Sequence, residues 1–355
     1  MNNPRYCRNL LRTLPIQPLC CIRNNYMKIT FITIGLILLS FVSISQINID
    51  VIKNIDIPDT IKSNIELLNN KIFKSIESRN ADLFYNEVIS DKLKTKEDGS
   101  LKSFILQLSM SYDKKGYEIK DQFFIPKIKE KQDLIITGEK DTEYEYKLEF
   151  GIGNADSYVS LLTFNNETIL LGLIYRKYDN EWRLHFFGAG YYKYRDKLSF
   201  DYYKTATTQL NKGYFVDAGL NAPLIKLLLK PNQFYSYTKH DIMYNFVDKV
   251  DSIVKSKYSF PVTIESIKTK PKVFLIELQE MKEGIFPMVN YVSTIPISNT
   301  KKLKNENDLI QKQIGILFPG LDKDKKYIFY SAHDRLPNKW DKMEVYGFVQ
   351  EIKKE

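Results

Sequence analysis

The stretch YVSLLTFNNETILLGLIYRKYDNEWRLHFF, residues 158–187, decides the fold class of this 355-residue chain. Two apolar runs flank Asn165-Asn166, and a second polar pair, Asp179-Asn180, separates the longer run from the next one. Polar pairs of this kind between strand-like runs are typical of β-hairpin turns. The expected antiparallel strands therefore cover residues 158–164, 168–178 and 181–187.

Upstream of this stretch, the hydrophobic period changes at Gly116 from helical to strand-like. Glu143–Ile152 alternates aromatic or aliphatic side chains with Glu and Lys, which is typical of a half-buried antiparallel strand. Before Gly116, apolar residues recur at helical spacing. Three helices are expected. The first begins at Asp59, the second covers about Ala81–Leu93, and the third follows Gly99-Ser100. The expected strands that precede Glu143 cover residues 117–125 and 134–137.

Helices followed by a long antiparallel meander resemble the NTF2-like cone fold. The resemblance covers about residues 58–195 and includes Tyr178-Asp179-Asn180-Glu181-Trp182-Arg183-Leu184 at the last turn. In that superfamily a curved sheet wraps around helices and leaves a pocket; some members are enzymes, and many only bind or dimerise. The resemblance implies a fold and not an activity, because one fold supports many functions.

The rest of the chain is expected to form a helical segment, residues 196–258, and a small α+β domain, residues 259–355. Helical periodicity in the first of these predicts a hairpin followed by a third helix. These helices cover about residues 196–212, 216–229 and 239–257. In the last part strand follows strand with one helix near residues 306–316, which excludes a doubly wound sheet. The predicted class of the whole chain is α+β.

The amino-terminal segment has the composition of a secretory signal. Residues 29–48 carry no charge, Lys28 precedes them, and Ser43 and Ser45 supply small residues for a peptidase. This order predicts a signal peptide over residues 27–45, with Gln46 as the new first residue and a periplasmic or extracellular product. The Ser-Gln junction is similar to signals common in Bacteroidetes-type bacteria.

Two further expectations depend on that cleavage. Residues 1–26 would then be an extension upstream of the true start, and residues 46–57 a tether to the first domain. The alternative is that Met1 is the true start. In that case the apolar run, residues 29–48, is retained as a single membrane anchor with its basic end inside.

Charge and cysteine content exclude several function classes. Removing residues 1–45 takes away five basic and no acidic residues, which leaves 47 basic and 43 acidic residues and no block that suits nucleic acid. Cys7, Cys20 and Cys21 all lie in that segment, so the mature chain has no thiol for a disulfide or a metal. Gly151-Ile152-Gly153 lacks the third glycine of a dinucleotide motif, and no cofactor or metal is expected.

The first candidate residues lie on the strand after Asp179-Asn180. Alternation places His185 and Arg183 on one face and Trp182, Leu184 and Phe186 on the other. The larger apolar set is expected to be core. His185 is therefore expected on an outer or interdomain face, as a surface histidine or as part of a site.

His240 and His333 are the remaining histidine candidates. His240 is expected to share a helix face with Tyr237 and Tyr244 and not to pair with the adjacent Asp241. His333 is expected in a loop, where a functional role is more common than in a core.

Tyrosines and carboxylates complete the candidates. Tyr191, Tyr192 and Tyr202 cluster where the first part meets the second, either as trapped packing residues or as a ligand surface. Glu145 and Glu149 share a strand face that is either solvated or, if it lines a pocket, a source of acid groups. No catalytic residue is assigned.

Two functions follow from these patterns. The first is an exported, non-catalytic protein that binds an envelope protein, a glycan or another polymer. The alternative is an envelope enzyme with acid/base residues in the cone pocket. Converging His, Asp or Tyr groups inside the cone would favour the enzyme, and a filling of Phe, Leu and Ile would favour the binder.

Overall fold

The computed structural model describes residues 49–95, 100–337 and 343–352. The predicted signal peptide, the upstream extension and the three cysteines lie outside these residues. Backbone contacts group residues 49–355 into one unit. Among the described residues, none of the helices has the length and apolar character that crossing a membrane requires.

The described residues form an α+β fold with helices and three sheets, as predicted. The helices are α1 (Asp59–Ser78), α2 (Ala81–Glu87), α3 (Asp91–Lys94), α4 (Ser100–Ser111), α5 (Ser199–Asn211), α6 (Phe215–Leu228), α7 (His240–Lys257) and α8 (Thr300–Leu317). The strands are β1 (Ile52–Lys53), β2 (Glu118–Ile125), β3 (Gln132–Gly138), β4 (Tyr146–Ile152), β5 (Ser157–Phe164), β6 (Ile169–Tyr178), β7 (Glu181–Tyr191), β8 (Tyr235–Tyr237), β9 (Val262–Thr263), β10 (Lys272–Met281), β11 (Gly284–Val292), β12 (Tyr327–His333) and β13 (Val345–Glu351).

The predicted meander forms the centre of the first sheet, whose strand order is β1-β2-β5-β6-β7. Consecutive strands β5, β6 and β7 pair antiparallel, and the two predicted turns connect them. A second sheet has the order β3-β4-β8, and a third has the order β13-β12-β11-β10-β9. In the third sheet, β11 and β12 are parallel because α8 provides the crossover between them.

Helices α1 to α4 cover one face of the first sheet. Ile65, Ile72 and Ile76 of α1 are buried at helical spacing, and they pack with sheet residues such as Trp182. Trp182 is 9% exposed, and its ring makes edge contacts with Tyr158 and Phe124. We call this apolar layer the helix-side core.

The opposite face of the first sheet is also buried. It packs against the second sheet and against α5, α6 and α7 in a layer that we call the central core. Because both faces are covered, all eight residues of β5 are buried. A third core lies between α8 and the third sheet, and Val216 of α6 belongs to it.

Two segments have a different structure from the one predicted, because each forms β-type hydrogen bonds with a neighbouring strand. Ile52–Lys53, expected in a tether, pairs with β2. The segment expected as one helix over residues 81–93 is divided into α2 and α3. Its interruption pairs with β7, since Ser90 N donates to Leu184 O and Leu184 N donates to Val88 O, both at 2.9 Å.

A β-bulge at His185 changes the alternation of β7. Ile174 pairs with Phe186 and Tyr175 pairs with Leu184, so His185 is an extra residue without a partner on β6. Leu184 lies in the helix-side core as predicted, but Phe186 packs against the central core. The prediction that Phe186 shares a face with Trp182 is therefore wrong.

Candidate functional site

A surface groove of about 680 Å³ lies where β3 and β4 of the second sheet meet β6 and β7 of the first. We call it the edge groove. The bulge in β7 brings His185 to this groove beside Arg176 of β6. The side chains that determine its chemistry are Asp133, Glu149, Phe150, Arg176, His185 and Phe186.

A hydrogen bond orients His185. The Tyr178 hydroxyl lies 2.7 Å from His185 Nδ1. Burial raises the pKa of Tyr178, and Arg176 opposes that shift.

Arg176 also joins the two sheets. Its Nη2 donates to the backbone carbonyl of Gly151 over 2.8 Å, at the end of β4. Its Nε is buried and has no hydrogen-bond partner among the described residues. A buried unsatisfied donor costs roughly 1–3 kcal/mol. Because Nε is buried, it does not face the groove, and the bond to Gly151 is what fixes the guanidinium.

Three phenylalanines form one wall of the groove. Phe234 makes edge-to-face contacts with Phe186 and Phe150, with ring centroids 5.8 Å and 6.4 Å apart. Phe234 fits there because Gly172 on β6 has no side chain; a Cβ at that position would lie 2.5 Å from the ring. Phe234 is buried, whereas Phe150 and Phe186 are half-buried. The wall thus presents part of two aromatic rings to the groove.

The groove carries charges of both signs. Asp133 and Glu149 are exposed, and so are Lys92 and Lys131. Glu149 therefore lies on a solvated strand face that also borders a groove. The exposed carboxylates are not in the water-excluded environment that strengthens acid/base catalysis.

The tyrosine candidates lie away from the edge groove, within or beside the central core. Tyr192 and Tyr202 are buried, and Tyr191 is half-buried against the same layer. The Tyr202 hydroxyl donates to Tyr194 O at 2.8 Å. These rings therefore serve packing between the first sheet and the helices that follow it.

A smaller recess of about 310 Å³ lies beside Tyr192. Lys120 Nζ lies 2.9 Å from Glu139 Oε1 and over the rings of Tyr192 and Tyr146. Burial alone would lower the pKa of Lys120, but Tyr192 and Glu139 raise it overall. Burial raises the pKa of Tyr192 against the effect of Lys120. The ammonium is thus already paired within the protein, which is typical of a structural network.

Arg183 hydrogen-bonds to the last residue of α2 and does not line the edge groove. Its Nη1 donates to Glu87 O at 2.8 Å, and its Nη2 contacts Glu181 at 2.7 Å. Arg183 was expected on the same strand face as His185. The β-bulge separates the two side chains, so Arg183 contacts α2 while His185 lines the edge groove.

The expectations about the other histidines are partly wrong. His240 stacks on Tyr244 as expected, with ring centroids 6.1 Å apart, but Tyr237 lies on β8 and not on the same helix. His240 Nδ1 also lies 3.0 Å from Asp241 Oδ1, although adjacent helical residues normally diverge. His240 is the first residue of α7, so no preceding helical turn restricts its side chain. His333 is the last residue of β12, is 8% exposed, and contacts Asn290 Oδ1 through Nε2 at 3.2 Å. It is not a loop residue, because its strand extends further than predicted.

Of the predicted candidates, His185 and Glu149 line the edge groove. Arg176, Asp133 and the phenylalanine wall were not among them. The glycine pair Gly151 and Gly153 did not mark a close backbone approach, since a Cβ at Gly151 would meet only Asp133 Oδ1 at 3.6 Å. Within residues 49–95, 100–337 and 343–352, no group of three His, Cys, Asp or Glu side chains could hold a metal ion.

No family model, curated protein or solved structure matches the chain. Its function is therefore inferred from the geometry of the site.

Proposed function

We propose that this chain is an exported, non-catalytic envelope protein whose NTF2-like module binds a partner protein or polymer in the edge groove. One observation carries the proposal. The helix-side core is filled by apolar side chains, whereas the open groove at the sheet junction combines exposed polar groups with aromatic rings. An open groove of this composition suits a long ligand held by surface contacts.

The filling of the helix-side core argues against an enzyme with a cone pocket. Phe84, Ile72 and Leu162 are at most 1% exposed in this layer. Asn69, which is also buried there, accepts from the Tyr175 hydroxyl at 2.6 Å. Apolar packing and a satisfied polar pair are the features expected of a core rather than of an acid/base site.

Export is supported by the order of charged, apolar and small residues in segment 27–45. Intact-mass and peptide analysis of the protein purified from cell envelopes should give an N-terminus at Gln46. A retained apolar segment would instead support the membrane-anchored alternative. Recovery of peptides from residues 1–26 would show that the upstream extension is translated.

The groove itself is tested by filling it. A Cβ added at Gly151 meets only Asp133 Oδ1 at 3.6 Å, which is an ordinary contact. Gly151→Gln should therefore fold normally while its side chain occupies the groove. Gly347→Gln is the matched control, because a Cβ on this exposed strand glycine meets only Tyr330 O at 3.8 Å.

The two variants and the parent are titrated with soluble glucan, xylan and carboxymethylated casein. We expect the parent to bind at least one of these polymers, Gly151→Gln to weaken that binding about tenfold or more, and Gly347→Gln to leave it unchanged. Equal melting temperatures would show that all three proteins are folded. Unchanged binding by Gly151→Gln, or no binding by the parent, would refute the proposal.

A further inference from the structure

We propose that the ligand of the edge groove is a neutral polysaccharide. This inference depends on the proposed function and specifies its ligand. It rests on the balance of charge in the groove, on the fixed guanidinium of Arg176, and on the aromatic wall.

The balance of charge disfavours a ligand of one sign. Lys92, Lys131 and Arg176 line the same groove as Asp133 and Glu149. A polyanion would approach both carboxylates, and a polycation would approach three cationic groups. A sugar hydroxyl avoids this conflict, because it donates to a carboxylate and accepts from a guanidinium or an ammonium.

A donor group is held in place on the β6 side of the groove. The Gly151 carbonyl accepts from Arg176 Nη2 at 2.8 Å and so fixes the guanidinium, which can only donate. The acceptors Asp133 and Glu149 lie on the β3–β4 side. A fixed donor group and two acceptors in one groove match the hydroxyls of a sugar ring, which both donate and accept. Preorganised partners also reduce the entropy lost on binding.

The aromatic wall supplies the apolar part of the contact. Phe150 and Phe186 are half-buried, and their edge-to-face contacts with Phe234 keep the rings in place. Aromatic faces carry a negative quadrupole, which attracts the polarised C–H groups of a sugar face. The groove volume of about 680 Å³ lies within the roughly 300–1,000 Å³ typical of ligand sites.

The edge of β4 beside the groove is closed to an extended peptide. Strand addition to β4 would start after Glu149, whose N–H already donates to Phe234 O at 2.9 Å. The next outward-facing carbonyl, that of Gly151, already accepts from Arg176. A peptide could not form a continuous ladder with this edge, and main-chain hydrogen bonds are the main source of affinity in strand addition.

The experiment compares probe classes on the full mature chain by calorimetric titration. The probes are laminarin, dextran and xylan as neutral polysaccharides, polygalacturonate as a polyanion and carboxymethylated casein as a polypeptide. The test variant is Asp133→Ala/Glu149→Ala, which removes both acceptors. The control is Asp248→Ala/Asp251→Ala, which removes two exposed carboxylates of α7.

We expect one neutral polysaccharide to bind, with little change between about 0.05 and 0.5 M NaCl because no ion pairs form. The groove variant should bind it about tenfold more weakly or worse, and the α7 control should bind it like the parent. If only polygalacturonate or casein binds, and Gly151→Gln abolishes that binding, the inference of a neutral ligand is overturned and the proposed function stands. Binding of any probe that Gly151→Gln does not affect would overturn both.

Discussion

The buried carboxylate of Asp217 should contribute to the stability of this protein with a pH dependence opposite to that of ordinary acid denaturation. Asp217 of α6 is 4% exposed, and Lys325 Nζ lies 2.9 Å from its Oδ1. Burial raises its pKa to about 6, against the effect of Lys325, while Asp322 and Asp324 raise it further. The folded state therefore binds this proton more tightly than the unfolded chain.

The size of the effect follows from the difference between the folded and ordinary pKa values. A pKa raised from 3.8 to about 6 corresponds to about 3 kcal/mol of unfolding free energy. This contribution is complete below pH 3.8 and is lost as pH rises through 6. Between about pH 7.5 and pH 5 it amounts to about 1.4 kcal/mol, gained on acidification.

Urea unfolding of the parent and of Asp217→Asn at several pH values separates the contribution of Asp217 to the unfolding free energy from that of the other titratable groups. Relative to Asp217→Asn, the parent should gain about 1.4 kcal/mol between pH 7.5 and pH 5. Asp82→Asn is the control, because its exposed carboxylate contacts Lys102 at the surface and is not among the groups that shift the pKa of Asp217. A constant difference between parent and Asp217→Asn, or a gain by the parent at high pH, would refute the burial argument.

Further predictions concern the core and the chain terminus. Trp182→Ala should lower the unfolding free energy by about 3–5 kcal/mol, as measured by urea titration, because it empties a buried site between helices and sheet; unchanged melting would contradict the strand assignment. Calorimetry of the mature protein should show one transition across the junction at residues 191–203, and Tyr192→Ala/Tyr202→Ala should split or lower it, since both rings lie in the shared central core. Mass spectrometry of the protein purified from cell envelopes should give Gln46 as its first residue.

Local patterns in the sequence were enough for much of the architecture. The alternation in Glu143–Ile152 places Tyr146, Leu148 and Ile152 in the core, and all three are buried. The turns at Asn165-Asn166 and Asp179-Asn180 lie where the pattern predicts them. These features depend on neighbouring residues, whose preferences act over one turn or one strand.

The edge groove could not be predicted in the same way. Arg176 and Gly151 are 25 residues apart, and their contact exists only because two separate sheets meet. Phe234 comes from the segment after α6 and reaches the groove where Gly172 leaves space for it. Such contacts depend on packing between distant segments, which the local period of a sequence does not encode.

The sequence by itself determined the α+β class, the meander and the buried position of Trp182, because side-chain periodicity and turn residues act locally. The tertiary structure decided the rest. Pairing with β6 placed the bulge at His185, and pairing with β7 extended the chain at Val88–Ser90 within a predicted helix. The physical reason is that backbone pairing and packing with distant partners outweigh small local preferences, and those partners are known only once the chain is folded.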